Sequence, residues 1–174
     1  LLLPARDAYV RYPVEPSERP HSDRADLSFT GDKAVAGWRL STDVGCAFIM
    51  LDGATAAYEV LRTPALAALI DVMIERFKAT DLVKVKAQTH ATLTATRALL
   101  RWARLQGRAD LVPLAERIFA LYEARGMTDH HANDNWFGRP EWTEGCAIVD
   151  SYLAAFELWR QTGKPAYLES AHHI

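Results

Sequence analysis

Glu144-Gly145-Cys146 sets a carboxylate and a thiol two residues apart, shortly after the polar-aromatic run His130-His131-Ala132-Asn133-Asp134-Asn135-Trp136-Phe137-Gly138. Such a pair can share one metal ion only where the backbone is extended or turning, because positions i and i+2 of a helix point to different faces. The apolar spacing that follows starts a helix here, so the pair falls at a loop-to-helix junction. A helix N-terminus also favours a thiolate. The chemistry expected is therefore a metal site or a reactive thiol. In the plainer alternative, Glu144 caps or charges the first helical turn and Cys146 is a small buried apolar residue.

Other residues bear chemistry with less specificity. His90 is a candidate ligand or acid/base because a histidine titrates near neutral pH; its plain alternative is a hydrogen-bonded core histidine. His130 and His131 are adjacent on a loop and point apart, so at most one serves a given site. Trp136, Phe137 and Trp142 offer flat faces for a sugar ring, or simply pack the loop onto the helix ends. Arg97, Arg101, Arg104 and Arg108 share one helical face. That stripe suits phosphates or acidic sugars, although a solvated or ion-paired face is the commoner outcome. The chain carries no P-loop, no dinucleotide-binding glycine fingerprint, no nucleophile elbow and no paired Cys-x-x-Cys zinc signature.

The elements that would position these residues are helical. Residues 1–43 are broken by Pro4, Pro13, Pro16 and Pro20 and read as an irregular arm. Across 44–174, helical periodicity predicts three pairs: 45–61 with 64–79, 88–106 with 110–125, and 143–162 with 166 onward. Gly107 and Gly163 break the second and third pairs. An offset of 56 superposes Gly107 on Gly163, Arg104 on Arg160 and His90 on Cys146, while an offset of 44 puts Cys46 on His90 and Tyr58 on Trp102. Repeated helix pairs imply a solenoid or a closed toroid, since no single hairpin can bury its own apolar faces. In a toroid the first helices of all pairs begin at one mouth, and the loops from the second helices return there. Cys46, His90, Glu144, Cys146 and the loops 80–88 and 126–141 should then share a rim. The second loop is long for a helix–helix connection, which marks it as functional.

Composition narrows the classes. The 174 residues are 49% hydrophobic and 24% charged with net charge −2, so no global basic field invites nucleic acid. No apolar run approaches the ~18 residues of a membrane span. Leu1-Leu2-Leu3-Pro4 is too short for a signal peptide. Two cysteines fit a reducing compartment, hence a cytoplasmic location, or a metal site, better than a disulfide framework. The missing initial Met and the helical pattern still running at Ile174 suggest a fragment.

Three motifs in order carry a family resemblance: Lys86-Ala87-Gln88-Thr89-His90-Ala91-Thr92, Asn135-Trp136-Phe137-Gly138 and Glu144-Gly145-Cys146-Ala147. Together they resemble the middle of the β-L-arabinofuranosidase-type glycoside hydrolases (family 127 and relatives), well over 90–174 and loosely before. The resemblance implies an (α/α)6 barrel with zinc at its mouth. It would make Glu144 and Cys146 zinc ligands and His90 a sugar contact, with a Cys-Cys pair farther along supplying the nucleophile. This chain has no such pair. It also has Asn135 where the family offers an acid/base Glu, leaving Asp134 as the nearest substitute.

The resulting expectation is an all-α fold, about half of an (α/α)6 barrel, from a glycoside hydrolase that removes a terminal sugar from a glycan. The assigned residues are Asp134 and Glu144 for catalysis, His90, His131, Asn135, Trp136 and Phe137 for substrate, and Glu144 with Cys146 for zinc. One alternative is an unsaturated-uronyl-type hydrolase using Asp43, Asp134 or Asp150 with water. The other is a non-catalytic helical-repeat scaffold. A half toroid also exposes apolar faces that the rest of the barrel, or a second copy, should cover.

Overall fold

The computed structural model describes residues 34–35, 38–39, 46–84, 86–138 and 143–174. Most of the arm, Asp43, the Cys46 side chain, Arg139, Glu141 and Trp142 lie outside the described residues. Two short strands, β1 (Ala34–Val35) and β2 (Trp38–Arg39), pair antiparallel with Ala34 opposite Arg39 and Val35 opposite Trp38. The other described elements are helices: α1 (Cys46–Leu61), α2 (Pro64–Lys78), α3 (Thr89–Gln106), α4 (Leu111–Arg125), α5 (Gly145–Thr162) and α6 (Pro165–His173).

Local chemistry sets the helix ends. Pro64 and Pro165 open α2 and α6, where the missing N–H costs nothing and the fixed φ is already helical. Gly107 and Gly163 cap α3 and α5 in the left-handed region, at φ 67° and 71°, and their N–H groups bond back to the carbonyls of Ala103 and Trp159. Both breaks fall where the repeat places them, and a side chain at either would be strained.

The helices form three hairpins, α1–α2, α3–α4 and α5–α6, with α3 packed between α1 and α5. Their shared core includes Phe48, Phe77, Leu99, Trp102, Phe119 and Leu158, all essentially buried. Each such side chain contributes about 1.5–3 kcal/mol of transfer free energy. Trp102 also donates its indole N–H to Asp71 at 3.0 Å and meets Tyr58 edge-on at 4.8 Å between centroids. Tyr58 and Trp102 are the pair that the 44-residue offset superposes, so equivalent positions are side-by-side neighbours. The 56-residue offset works likewise: Gln88 bonds Glu144 at 3.2 Å and Thr94 bonds Asp150 at 2.7 Å.

The arginine stripe is ion-paired along its length. Arg97 pairs with Asp150, Arg101 with Asp52, Arg104 with Glu59 and Arg108 with Asp110. It ties neighbouring hairpins together rather than forming an open cationic groove. Among the described residues, no helix is long and apolar enough to cross a membrane.

Candidate functional site at the rim of the inner helices

The α3 and α5 N-termini and the loop after α4 meet at one end of the bundle. The loop is held by backbone pairing: Thr89 N–H donates to the Asn135 carbonyl at 2.9 Å, and Phe137 N–H donates to Ala87 at 3.1 Å. The Thr89 hydroxyl donates to the Asp134 carbonyl at 2.7 Å and accepts from the Asn133 amide at 3.2 Å. Asn133 then accepts the backbone N–H of Glu144 at 3.2 Å. One buried amide thus joins the loop to both inner helices. Gly126 permits the close approach, because a Cβ there would sit 3.0 Å from Thr89 Cγ2 and 3.3 Å from Phe137.

Glu144 is extended (φ −124°, ψ 123°), so α5 starts at Gly145 and not at Thr143, as the apolar spacing implied. Its side chain makes no cap bond to its own helix. It accepts from Gln88, and its charge lies beside the Cys146 thiol. Capping therefore does not describe Glu144, and Cys146 is half-exposed rather than buried among aliphatic groups. Burial, then the hydrogen bond and charge of Glu144, push the Cys146 thiol up to about 11. A thiol so poised is almost wholly protonated at neutral pH. We expect Cys146, in a Cys46→Ser background, to be alkylated by iodoacetamide about a hundredfold more slowly than a free cysteine of pKa ~8.5. Glu144→Gln should recover part of that rate, with burial still holding the rest; equal rates in parent and variant would remove Glu144 as a cause.

Beside this pair lies the most connected carboxylate of the seam. Asp150 accepts from His90 Nδ1 at 2.6 Å, from the Thr94 hydroxyl at 2.7 Å and from Arg97. Burial alone would raise its pKa, but the bonds from His90, Thr94 and Arg97 and the guanidinium charge outweigh that and hold it below the usual carboxylate range. The bond to Asp150 raises the His90 pKa, against the opposing effect of burial. With Nδ1 engaged, the free edge of the His90 ring is Nε2, and its side chain is 24% exposed. This is the arrangement of an acid/base histidine: one nitrogen oriented by a carboxylate, the other presented.

The remaining expected site residues divide. Asp134 is half-buried, and desolvation raises its carboxyl pKa, the direction an acid needs. His131 sits at φ 58° and its ring stacks on His173 at 5.2 Å, at the end of α6. Asn135, Trp136 and Phe137 are 1%, 3% and 0% exposed, which favours the alternative in which this segment packs the loop onto the helix ends. They support the loop from beneath. Asn135 Oδ1 is buried without a hydrogen-bond partner among the described residues, a cost of about 1–3 kcal/mol that a bound polar group would relieve.

Among the described residues, zinc has two candidate ligands, Glu144 and Cys146. Glu144 and Cys146 touch, but among the described residues no group of three or more His, Cys, Asp or Glu side chains is placed to hold a metal. His90 and Asp150 are committed to each other.

No family model matches the chain, and no curated protein shows significant similarity to it. Among solved structures it resembles cellobiose 2-epimerase from Bacillus thermoamylovorans B4167, with TM-score 0.58 and 17% identity, over 74% of this chain. That protein is an (α/α)6 barrel. The fold is a partial (α/α) toroid. The chain spans 42% of the length of that neighbour, in keeping with three hairpins of a larger ring.

Asp150, which the sequence offered only for the aspartate-and-water alternative, proves to be the carboxylate that orients His90. A signal existed: the offset that equates His90 with Cys146 also sets Thr94 beside Asp150. Four residues separate His90 from Thr94, one turn, so both reach the same carboxylate.

Proposed function

We propose that this chain forms part of a sugar-processing (α/α)6-barrel enzyme and that its rim hydrolyses a terminal glycosidic bond. The observation that carries the reading is the His90–Asp150 pair, set at the mouth of the inner helices beside Glu144 and the Asp134 loop. In this reading Asp134, whose burial favours the protonated form, donates a proton to the leaving oxygen. Glu144 acts as base or nucleophile on the opposite side. His90 Nε2 bonds a sugar hydroxyl, held in register by Asp150. The resemblance to β-L-arabinofuranosidase-type hydrolases supports this version. No step is routed through zinc, since the described residues supply only two of its ligands.

A second reading is favoured by the dyad itself and by the neighbour's activity as a 2-epimerase. A carboxylate-oriented histidine can abstract a proton from a carbon next to a carbonyl without any glycosidic cleavage. One experiment separates the two: incubation with reducing disaccharides and aryl glycosides in D2O, followed by chromatography and mass spectrometry. Hydrolysis yields a released sugar with unlabelled carbon. Epimerisation yields a product of unchanged length carrying deuterium at the exchanged carbon. His90→Gln should lower epimerisation by roughly 10²–10⁴-fold, the loss of its acid/base, and hydrolysis by less, the loss of a sugar contact. Unchanged turnover in His90→Gln would remove the His90–Asp150 pair from the chemistry, and neither turnover nor sugar binding in a chain containing the complete ring would leave the helical-repeat scaffold.

A further inference from the structure

Asp150 divides its two oxygens between two kinds of donor. Oδ2 accepts from His90 Nδ1 at 2.6 Å and from the Thr94 hydroxyl at 2.7 Å, while Oδ1 accepts from Arg97 Nη1. His90, Thr94 and Arg97 lie at i, i+4 and i+7 on α3, so one face of that helix delivers all three to α5. The carboxylate is 8% exposed, and His90 and Arg97 are each 24% exposed. One negative charge in this nearly dry seam is shared by a guanidinium that never gives up its proton and an imidazole that does.

That division matters for the ring. Asp150 and Glu144, both from the α5 side, raise the proton affinity of His90, and Arg97 lowers it. The other titratable rim groups are Asp134, on the loop bonded to Thr89, and Cys146, whose thiol is pushed up to about 11. On the α1 side, Asp52 and Arg101 are paired with each other. Against two carboxylates, Arg97 is the charge that favours a neutral imidazole, the form whose Nε2 carries a lone pair.

Arg101 supplies a comparison inside the same helix. It sits one turn beyond Arg97, is 22% exposed, and donates to the Asp52 carboxylate at 2.7 Å and to the Thr55 hydroxyl at 3.0 Å on α1. Arg97 and Arg101 thus make the same kind of seam bond to opposite neighbours. Joining hairpins accounts for both, but of the two only Arg97 bonds the carboxylate that orients His90.

We propose that Arg97 is a positioning residue of the rim: by holding Oδ1 of Asp150 it offsets that carboxylate's pull on the His90 proton and keeps the Nε2 lone pair open to substrate. The inference rests on His90 serving a substrate at this rim, as a base or as the acceptor of a sugar hydroxyl.

Titration of the His90 imidazole by NMR in the 174-residue chain tests this without any substrate. Arg97→Gln should raise the His90 pKa by about one unit. Arg97→Lys, which keeps the charge, should raise it by less, and Arg101→Gln should leave it unchanged. Arg97→Met keeps much of the apolar stem and replaces Arg97→Gln if that variant loses helicity by circular dichroism. In a chain with the complete ring, the acid limb of the kcat/KM profile should move with the NMR value. That is about a tenfold loss on the acid limb of Arg97→Gln, with the alkaline rate close to wild type. An unchanged His90 pKa in the charge-removing variants overturns the proposal. So does an equal rise in Arg101→Gln, which would make the shift a consequence of a loosened seam, and so does a rate lowered evenly at every pH. A shift by NMR with no turnover at any pH keeps Arg97 as the group that tunes His90 and removes instead the enzymatic reading of the rim.

Discussion

Asp150→Ala should destabilise the fold by about 3 kcal/mol, the low end of the cost of breaking a buried ion pair, because Arg97 and His90 each retain 24% exposure. For a chain of this size that corresponds to a melting temperature lower by roughly 6–12 °C. The substitution strips three donors of their acceptor at once, and only partial access to water softens the loss. Asp150→Asn separates charge from shape, since the amide still accepts from Thr94 but no longer supports the His90 charge. The pH dependence has a definite sign. Asp150 titrates below its ordinary 3.8, so its contribution is present above that value and is lost as pH falls through the depressed pKa. His90 titrates above 6.5, so its contribution is complete below 6.5 and is lost as pH rises through the raised pKa. The stability difference between wild type and Asp150→Asn should therefore be largest between about pH 4 and pH 6.5. Urea titrations at several pH values measure it. Parallel curves from acid to alkaline pH would show that the seam is held by packing alone.

Phe137→Ala should cost about 3–5 kcal/mol, the usual range for deleting a buried aromatic ring. Phe137 is fully buried and its backbone N–H is tied to Ala87, so the ring anchors the loop that carries Asn133 and Asp134. The cavity would lie beside Gly126 and Thr89, the point of closest approach between loop and helix. Amide hydrogen exchange should accelerate first at Thr89, Asp134 and Phe137, whose N–H groups hold the loop, and later in α4. If sugar binding at the rim survives while those amides exchange freely, the loop is structural only. If binding falls with them, the Asn133–Glu144 link positions the site.

The helical hairpins were legible because their signals are local. Pro64, Gly107 and Gly163 act within one turn of backbone, and the apolar spacing needs no partner to be read. The repeat extended that reach, since equal positions in successive inner helices proved to be neighbours in space. The rim was only partly legible. Glu144 beside Cys146 followed from a loop-to-helix junction, but the start of α5 was placed early because Thr143 and Glu144 fit a helical pattern until Asn133 holds Glu144 extended. Trp136 and Phe137 left two readings open for a physical reason: an aromatic residue on a polar loop reads alike whether it faces solvent or anchors the loop from below. Asp150 was legible only as a candidate for the aspartate-and-water alternative, because the sequence does not show that His90, Thr94 and Arg97 all donate to it.

His90 and Asp150 lie 60 residues apart on separate hairpins. Neither hairpin holds the dyad alone, so the chemical character of His90 is set by an association event within the chain. While the third hairpin is undocked, its imidazole is an ordinary histidine; docking makes it a stronger base with one fixed tautomer. The proton affinity of a single imidazole therefore gauges whether the second and third hairpins have docked.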